Sequence, residues 1–153
     1  MSKYGFFIKR LELSGSAVET KFIQFEKGLN VIFGSSDTGK TFIFQCINYM
    51  LGGSTPPKSI SESENYNLVG LIIETYAGKE YKLERSLQGG NFNLFDNSTN
   101  NSRVIEASNQ SNNETISSFL LNICKINGKK IRKNKKGITQ NLYFQNLKKY
   151  FAI

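Results

Sequence analysis

Residues 34–41, Gly34-Ser35-Ser36-Asp37-Thr38-Gly39-Lys40-Thr41, fit the pattern G-x-x-x-x-G-K-[ST] letter for letter. The segments on either side narrow the fold further. The preceding run, Leu29-Asn30-Val31-Ile32-Phe33, reads as a buried parallel strand. From Lys40 onward Ile43, Cys46, Ile47, Met50 and Leu51 recur at the spacing of one face of an amphipathic helix, which Gly52-Gly53 stops. Strand, glycine loop and helix follow in the order that a phosphate-binding loop requires.

A polyphosphate needs many aligned donors with no side chain in the way, and a tight loop feeding a helix N-terminus supplies them together with a favourable dipole. Gly34 and Gly39 permit the turn and the close approach of the backbone. The expected nucleotide-binding set is Gly34, Ser35, Ser36, Asp37, Thr38, Gly39, Lys40, Thr41 and Phe42. Main-chain amides from about Ser36 to Thr41 cradle the phosphates, Lys40 reaches the outer two, and the Thr41 hydroxyl holds Mg²⁺.

Composition removes several alternatives. The chain has no histidine, hence neither the commonest general base nor the commonest transition-metal ligand, which argues against serine-protease-like and His-metal chemistry. Cys46 and Cys124 fall on inferred helices among apolar neighbours and read as buried free thiols; no Cys-x-x-Cys occurs. No apolar stretch approaches the roughly 20 residues of a membrane span and the N-terminus lacks a signal-peptide core, so a cytoplasmic protein without a membrane partner is expected. With 153 residues, 39% of them apolar, one domain with a real core is expected.

Twenty Lys and Arg against twelve Asp and Glu give a net charge of +8, which suits a polyanionic partner. Lys125, Lys129, Lys130, Arg132, Lys133, Lys135 and Lys136 fall within twelve residues. Such a run is ordinarily a solvated loop, and its functional counterpart is DNA contact. No aromatic interrupts it, so a stacking platform for single strands is not indicated.

Along the chain, Phe7, Lys9, Leu11 and Leu13 mark one face of a first strand, and Phe22-Ile23-Gln24-Phe25 a second. A polar connection, Ser54 to Asn67, follows the helix. A meander comes next: Leu68 to Tyr76, a turn at Ala77-Gly78, a strand with Tyr81, Leu83, Arg85 and Leu87 alternating, a turn at Gly89-Gly90, and a strand begun by Phe92, Leu94 and Phe95. This predicts an antiparallel sheet beside the parallel one. Asn97 to Asn113 reads as a mobile segment or poorly ordered hairpin. A helix capped by Asn113 is expected to begin at Glu114, bury Ile116, Phe119, Leu120 and Ile123, and end at Asn127-Gly128. A further helix after Thr139 would pack Tyr143, Leu147, Tyr150 and Phe151 into the core.

Three stretches, Ile8-Lys9-Arg10-Leu11-Glu12-Leu13, Phe25-Glu26-Lys27-Gly28-Leu29-Asn30-Val31-Ile32-Phe33-Gly34 and the loop itself, together resemble the N-terminal head lobe of the Rad50, SMC and RecF group of ABC-type ATPases. The likeness is good to about residue 96. It implies an α/β fold of the P-loop NTPase class: a mixed sheet carrying the loop and helix, plus an antiparallel β meander. It also implies ATP with Mg²⁺, closure of two heads in a homodimer, and work in DNA repair, DNA maintenance or defence against foreign DNA. DNA contact would run through the seven basic residues named above. Members complete the site with a C-terminal lobe carrying a Mg²⁺-binding acidic strand, a catalytic Glu and a Ser-Gly-Gly-type signature. No apolar strand ending in Asp-Glu occurs here, so residues 1–153 are expected to be half a head. The coiled-coil arm and second lobe would lie further along the chain or on another one, the catalytic residues are unassigned, and turnover by this half alone should be negligible. Two other readings stay open: a stand-alone P-loop kinase, for which Arg10, Arg85 and Arg103 are too scattered to make a lid, and a non-catalytic DNA-binding domain with a vestigial loop.

Overall fold

The computed structural model describes residues 4–36, 39–108 and 111–150. Strand β1 (Phe6–Gly15) turns at Ser16-Ala17 into β2 (Val18–Gln24). An irregular stretch leads to helix α1 (Lys40–Met50), and a connection containing the short 3-10 turn Ser61–Ser63 leads on to β3 (Leu68–Thr75). Strands β4 (Glu80–Ser86), β5 (Gly89–Asp96) and β6 (Asn101–Ile105) complete a meander, followed by helix α2 (Ile116–Ile123). A small hairpin of β7 (Lys130–Arg132) and β8 (Thr139–Asn141) precedes a 3-10 segment, Phe144–Tyr150.

The first six strands make one sheet in the order β2-β1-β3-β4-β5-β6, antiparallel throughout. Alternation along these strands sends apolar side chains to one face and charges to the other. Val69, Leu71, Ile73, Leu83, Phe92, Leu94 and Ile105 are fully buried, in one cluster with Cys46, Tyr49 and Met50 of α1 and Ile116, Leu120 and Leu121 of α2. On the strands' other residues Lys9 pairs with Glu74 and Glu80 at 3.0 and 2.6 Å, and Lys82 with Glu12 and Glu84 at 3.1 and 2.9 Å.

The sheet differs from the expected one in two respects. First, Leu29–Phe33 is irregular, not a buried parallel strand: Leu29, Val31 and Phe33 are 92%, 72% and 90% exposed. A parallel strand needs an adjacent ladder, and both edges of β1 are taken, by β2 and β3. The Asn30 side chain instead ties a bend, accepting from the Glu26 amide and donating to the Glu26 and Gly28 carbonyls. Parallel pairing among the described residues is confined to one bridge, Glu106 with Thr115, so a mixed sheet beside a separate meander is replaced by a single antiparallel one. Second, Lys9 is an extra residue in β1: Ile8 opposes Ile73 while Arg10 opposes Ile72. This bulge switches the inward face, so that Phe6 and Ile8 precede it and Leu11 and Leu13 follow it in the core, in place of the expected Phe7 and Lys9.

Downstream, the Asn-rich stretch forms β6, paired with β5 from Asp96↔Asn101 to Phe92↔Ile105. Helix α2 starts two residues later than expected in its cap as well as its body. Thr115, not Asn113, is the N-cap, exchanging hydrogen bonds with Ser118 in a capping box. It ends at Ile123 because Lys125 adopts a positive φ of 58°. The expected terminal helix is β8 plus the 3-10 segment; Tyr143 is 46% exposed rather than core. Phe151 and the Tyr150 side chain lie outside the described residues.

The Cys46 thiol is fully enclosed, and burial pushes it up from about 9 to about 12; burial also raises the Tyr49 phenol and the Cys124 thiol. Above pH 9 the unfolded thiol sheds a proton that the folded one retains, so the unfolded state binds fewer protons and stability falls as pH rises. One such group gives a slope of about 1.4 kcal/mol per pH unit across that window. Urea midpoints measured from pH 8 to 10 should therefore decline, and Cys46→Ala should remove about 1.4 kcal/mol from the total decline over that range; equal declines in both would show the native thiol ionising freely.

Candidate functional site

Helix α1 opens at Lys40, with Gly39 as N-cap in the left-handed region, φ 79° and ψ 4°. A Cβ at Gly39 would lie no nearer than 3.7 Å to Ile60, so the dihedral, not crowding, calls for glycine. Helices usually begin at a capping Ser, Thr, Asp or Asn. Here no side chain caps the start and no acid stands in the first turn. The first-turn amides therefore have no intrahelical carbonyl and no acid of their own turn to offset the dipole, the arrangement that attracts an anion.

The Lys40 ammonium reaches back over the loop, donating to the Gly34 carbonyl at 3.0 Å and to the Ser35 carbonyl. Gly34, Ser36, Gly39, Lys40, Thr41 and Phe42 form one wall of a cleft of about 680 Å³. Thr41 is exposed, whereas the Phe42 side chain belongs to the core, leaving Phe42 only its main chain to offer. Asp37 and Thr38, the other members of the expected set, lie outside the described residues.

The opposite wall, Ile60, Ser61 and Glu62, was not foreseen from sequence. It is strapped to the helix by the Lys58 amide, which donates to the Gln45 side chain at 2.9 Å. Ser63 stiffens it, its hydroxyl donating to the Ile60 carbonyl and accepting from the Ile60 amide. The Glu62 amide and the Ser61 hydroxyl hold the Glu62 carboxyl below the usual carboxylate range, so this wall carries a full negative charge at neutral pH. No local motif marks the strap, since the connection reads simply as polar.

The far end of α1 is held by Arg85, a residue to which the sequence alone assigns no role. Arg85 is 6% exposed and its guanidinium donates to the Tyr49, Gly53 and Gly90 carbonyls at 3.2, 3.0 and 2.8 Å. It lies 3.9 Å over the Tyr49 ring and 4.6 Å over that of Phe92, and no carboxylate pairs with it among the described residues. A cation at a helix C-terminus complements the dipole there. Thus one arginine closes the end of α1 opposite the loop.

Beside the loop an apolar groove of about 810 Å³ runs between β1 and α1, lined by Phe6, Ile8, Phe25, Leu29, Ile43 and Phe44 among others. Phe44 and the 29–33 run leave it open to solvent.

A family model described as the AAA domain matches residues 14–152, nearly the whole chain and all of the loop, α1 and the meander. The chain belongs to the AAA domain family. This is an AAA-type P-loop ATPase family, found in SMC- and Rad50-like proteins, and its members generally use ATP with Mg²⁺. A search of curated proteins gives no match. Among the described residues of this AAA domain no cluster of three or more His, Cys, Asp or Glu could hold a metal. No helix among the described residues of this AAA domain is long and apolar enough to cross a membrane.

Proposed function

We propose that this AAA domain is the ATP-binding half of an ATPase head of the Rad50, SMC and RecF kind. The observation that carries the reading is the uncapped start of α1 at a left-handed glycine, with the Lys40 ammonium over the loop mouth. The amides of Ser36 and of Gly39 to Phe42 orient a triphosphate. Lys40 exchanges its two loop carbonyls for outer phosphate oxygens, and Thr41 holds Mg²⁺. The metal supplies charge neutralisation for phosphoryl transfer to water. It also screens the triphosphate from the Glu62 carboxylate across the cleft.

Hydrolysis further needs an oriented water, and positioning alone does not supply it. The missing base and signature residues would come from a second lobe, further along this chain or on another one. The exposed Leu29, Val31 and Phe33 and the apolar groove favour such a partner, because apolar area of this kind is ordinarily covered. Two heads closing over ATP and reopening on hydrolysis would serve DNA repair, DNA maintenance or defence. Residues 1–153 alone should bind MgATP in a calorimeter yet show negligible steady-state phosphate release. Failure to bind, or vigorous turnover by this chain alone, would overturn the assignment.

A further inference from the structure

We infer that the β7–β8 hairpin is a rigid basic ribbon that grips the phosphate backbone of a nucleic-acid duplex. The proposed function enters only in choosing nucleic acid among polyanions; the residues are different ones. Residues 115–153 contain nine Lys and Arg and no Asp or Glu, whereas residues 1–114 contain eleven Lys and Arg against twelve acids. The whole cationic excess therefore lies in the last quarter of the chain.

The fold turns that excess into a surface. Pairing of Lys130 with Asn141 and of Arg132 with Thr139 sets these four exposed residues on one face of the ribbon. Ile131 and Gln140 take the other face, where Ile131 packs on the core. The base is anchored by the buried Leu142, whose amide donates to the Lys129 carbonyl at 2.9 Å. The tip is equally defined: the Lys133 amide donates to the Ile138 carbonyl at 2.7 Å, and the Asn134 side-chain oxygen accepts from the Lys136 and Ile138 amides. Lys133, Lys135 and Lys136 stand outward from it, all exposed.

Within the sheet Lys9, Arg10, Lys82 and Arg103 each pair with a carboxylate, and Arg85 is buried on three carbonyls. No hairpin cation does so among the described residues. A fixed, uncompensated cationic ribbon complements phosphate, and a two-stranded ribbon fits the roughly 12 Å major groove of a duplex. The outward face carries Lys130, Arg132, Thr139 and Asn141, and the exposed apolar surface of the hairpin among the described residues is Ile138, 55% exposed at the tip, too little to seat on a membrane. Lysines predominate, and as point charges they position without reading base edges, so binding is sequence-independent.

The test is fluorescence anisotropy of the 153-residue chain with a labelled 20-base-pair duplex over a salt series, comparing wild type with the combined substitutions Lys133→Gln, Lys135→Gln and Lys136→Gln. Three lost phosphate contacts should shrink the slope of log affinity against log salt by about 2.7 and weaken low-salt binding at least about 10-fold. MgATP affinity and the circular-dichroism spectrum should not change. No duplex binding by wild type, a variant matching wild type in affinity and slope, or wild-type binding to phosphatidylserine vesicles but not to duplex would each overturn the inference. Lys40→Ala separates the two readings: unaltered MgATP binding in that variant would sink the nucleotide assignment while leaving the duplex result standing.

Discussion

Lys40→Ala is expected to weaken MgATP binding by about 10²-fold or more while barely moving the unfolding temperature. The ammonium already makes two contacts with loop carbonyls, and in the bound form it would make them with phosphate oxygens. Charge-assisted hydrogen bonds contribute about 1.5–3 kcal/mol each. Two of them amount to roughly 3–6 kcal/mol, and each 1.4 kcal/mol is about tenfold in affinity. The structural loss is small because the carbonyls left behind, of Gly34 and Ser35, are exposed and can turn to water. Titration calorimetry on both proteins decides the matter: equal affinities would remove the ammonium from the site.

Arg85→Ala should lower stability by about 3–5 kcal/mol, as much as truncating a buried core side chain. Three buried or half-buried carbonyls would lose their donor, and each group so stranded costs about 1–3 kcal/mol. The rings of Tyr49 and Phe92 would also lose the plate between them. For a domain of this size, about 2–4 °C per kcal/mol puts the midpoint roughly 10 °C lower. Arg85→Lys should rescue little, since a single ammonium cannot reproduce the planar fork that serves carbonyls on α1 and β5 at once. Thermal unfolding followed by circular dichroism provides the check; a fall of under about 2 °C for Arg85→Ala would show that water satisfies those carbonyls.

Helix α1 was legible because its signal is local: an apolar stripe, opening at Lys40 directly after the glycine pattern, that meets the core at Cys46, Ile47 and Met50. The meander was legible for the same reason, through alternation and turns such as Ala77-Gly78. What depends on distant neighbours was not. Leu29–Phe33 has the composition of a buried strand, but burial requires an adjacent ladder that the described chain does not offer. The bulge at Lys9 is set by registry with β3, sixty residues on, and has no mark of its own. Arg85 looks like any surface arginine until the end of α1 is laid against β4 and β5. Ladders of three residues, as in β7 and β8, are too short for alternation to register. The cleft's far wall was hidden because Ser61 and Glu62 approach Lys40 only through the path of the chain between.

The order of strands also decides where the chain's entropy cost falls. Within the meander, two to four residues join each neighbouring pair, whereas fifty-two separate β1 from its partner β3. On a logarithmic dependence of loop closure, that long excursion costs about 2 kcal/mol more than a tight turn. The segment thus looped out carries both walls of the cleft. Its enclosure therefore depends on the zipped pair β1 and β3 together with the seating of α1 in the core, and weakening that seam loosens the ligand site.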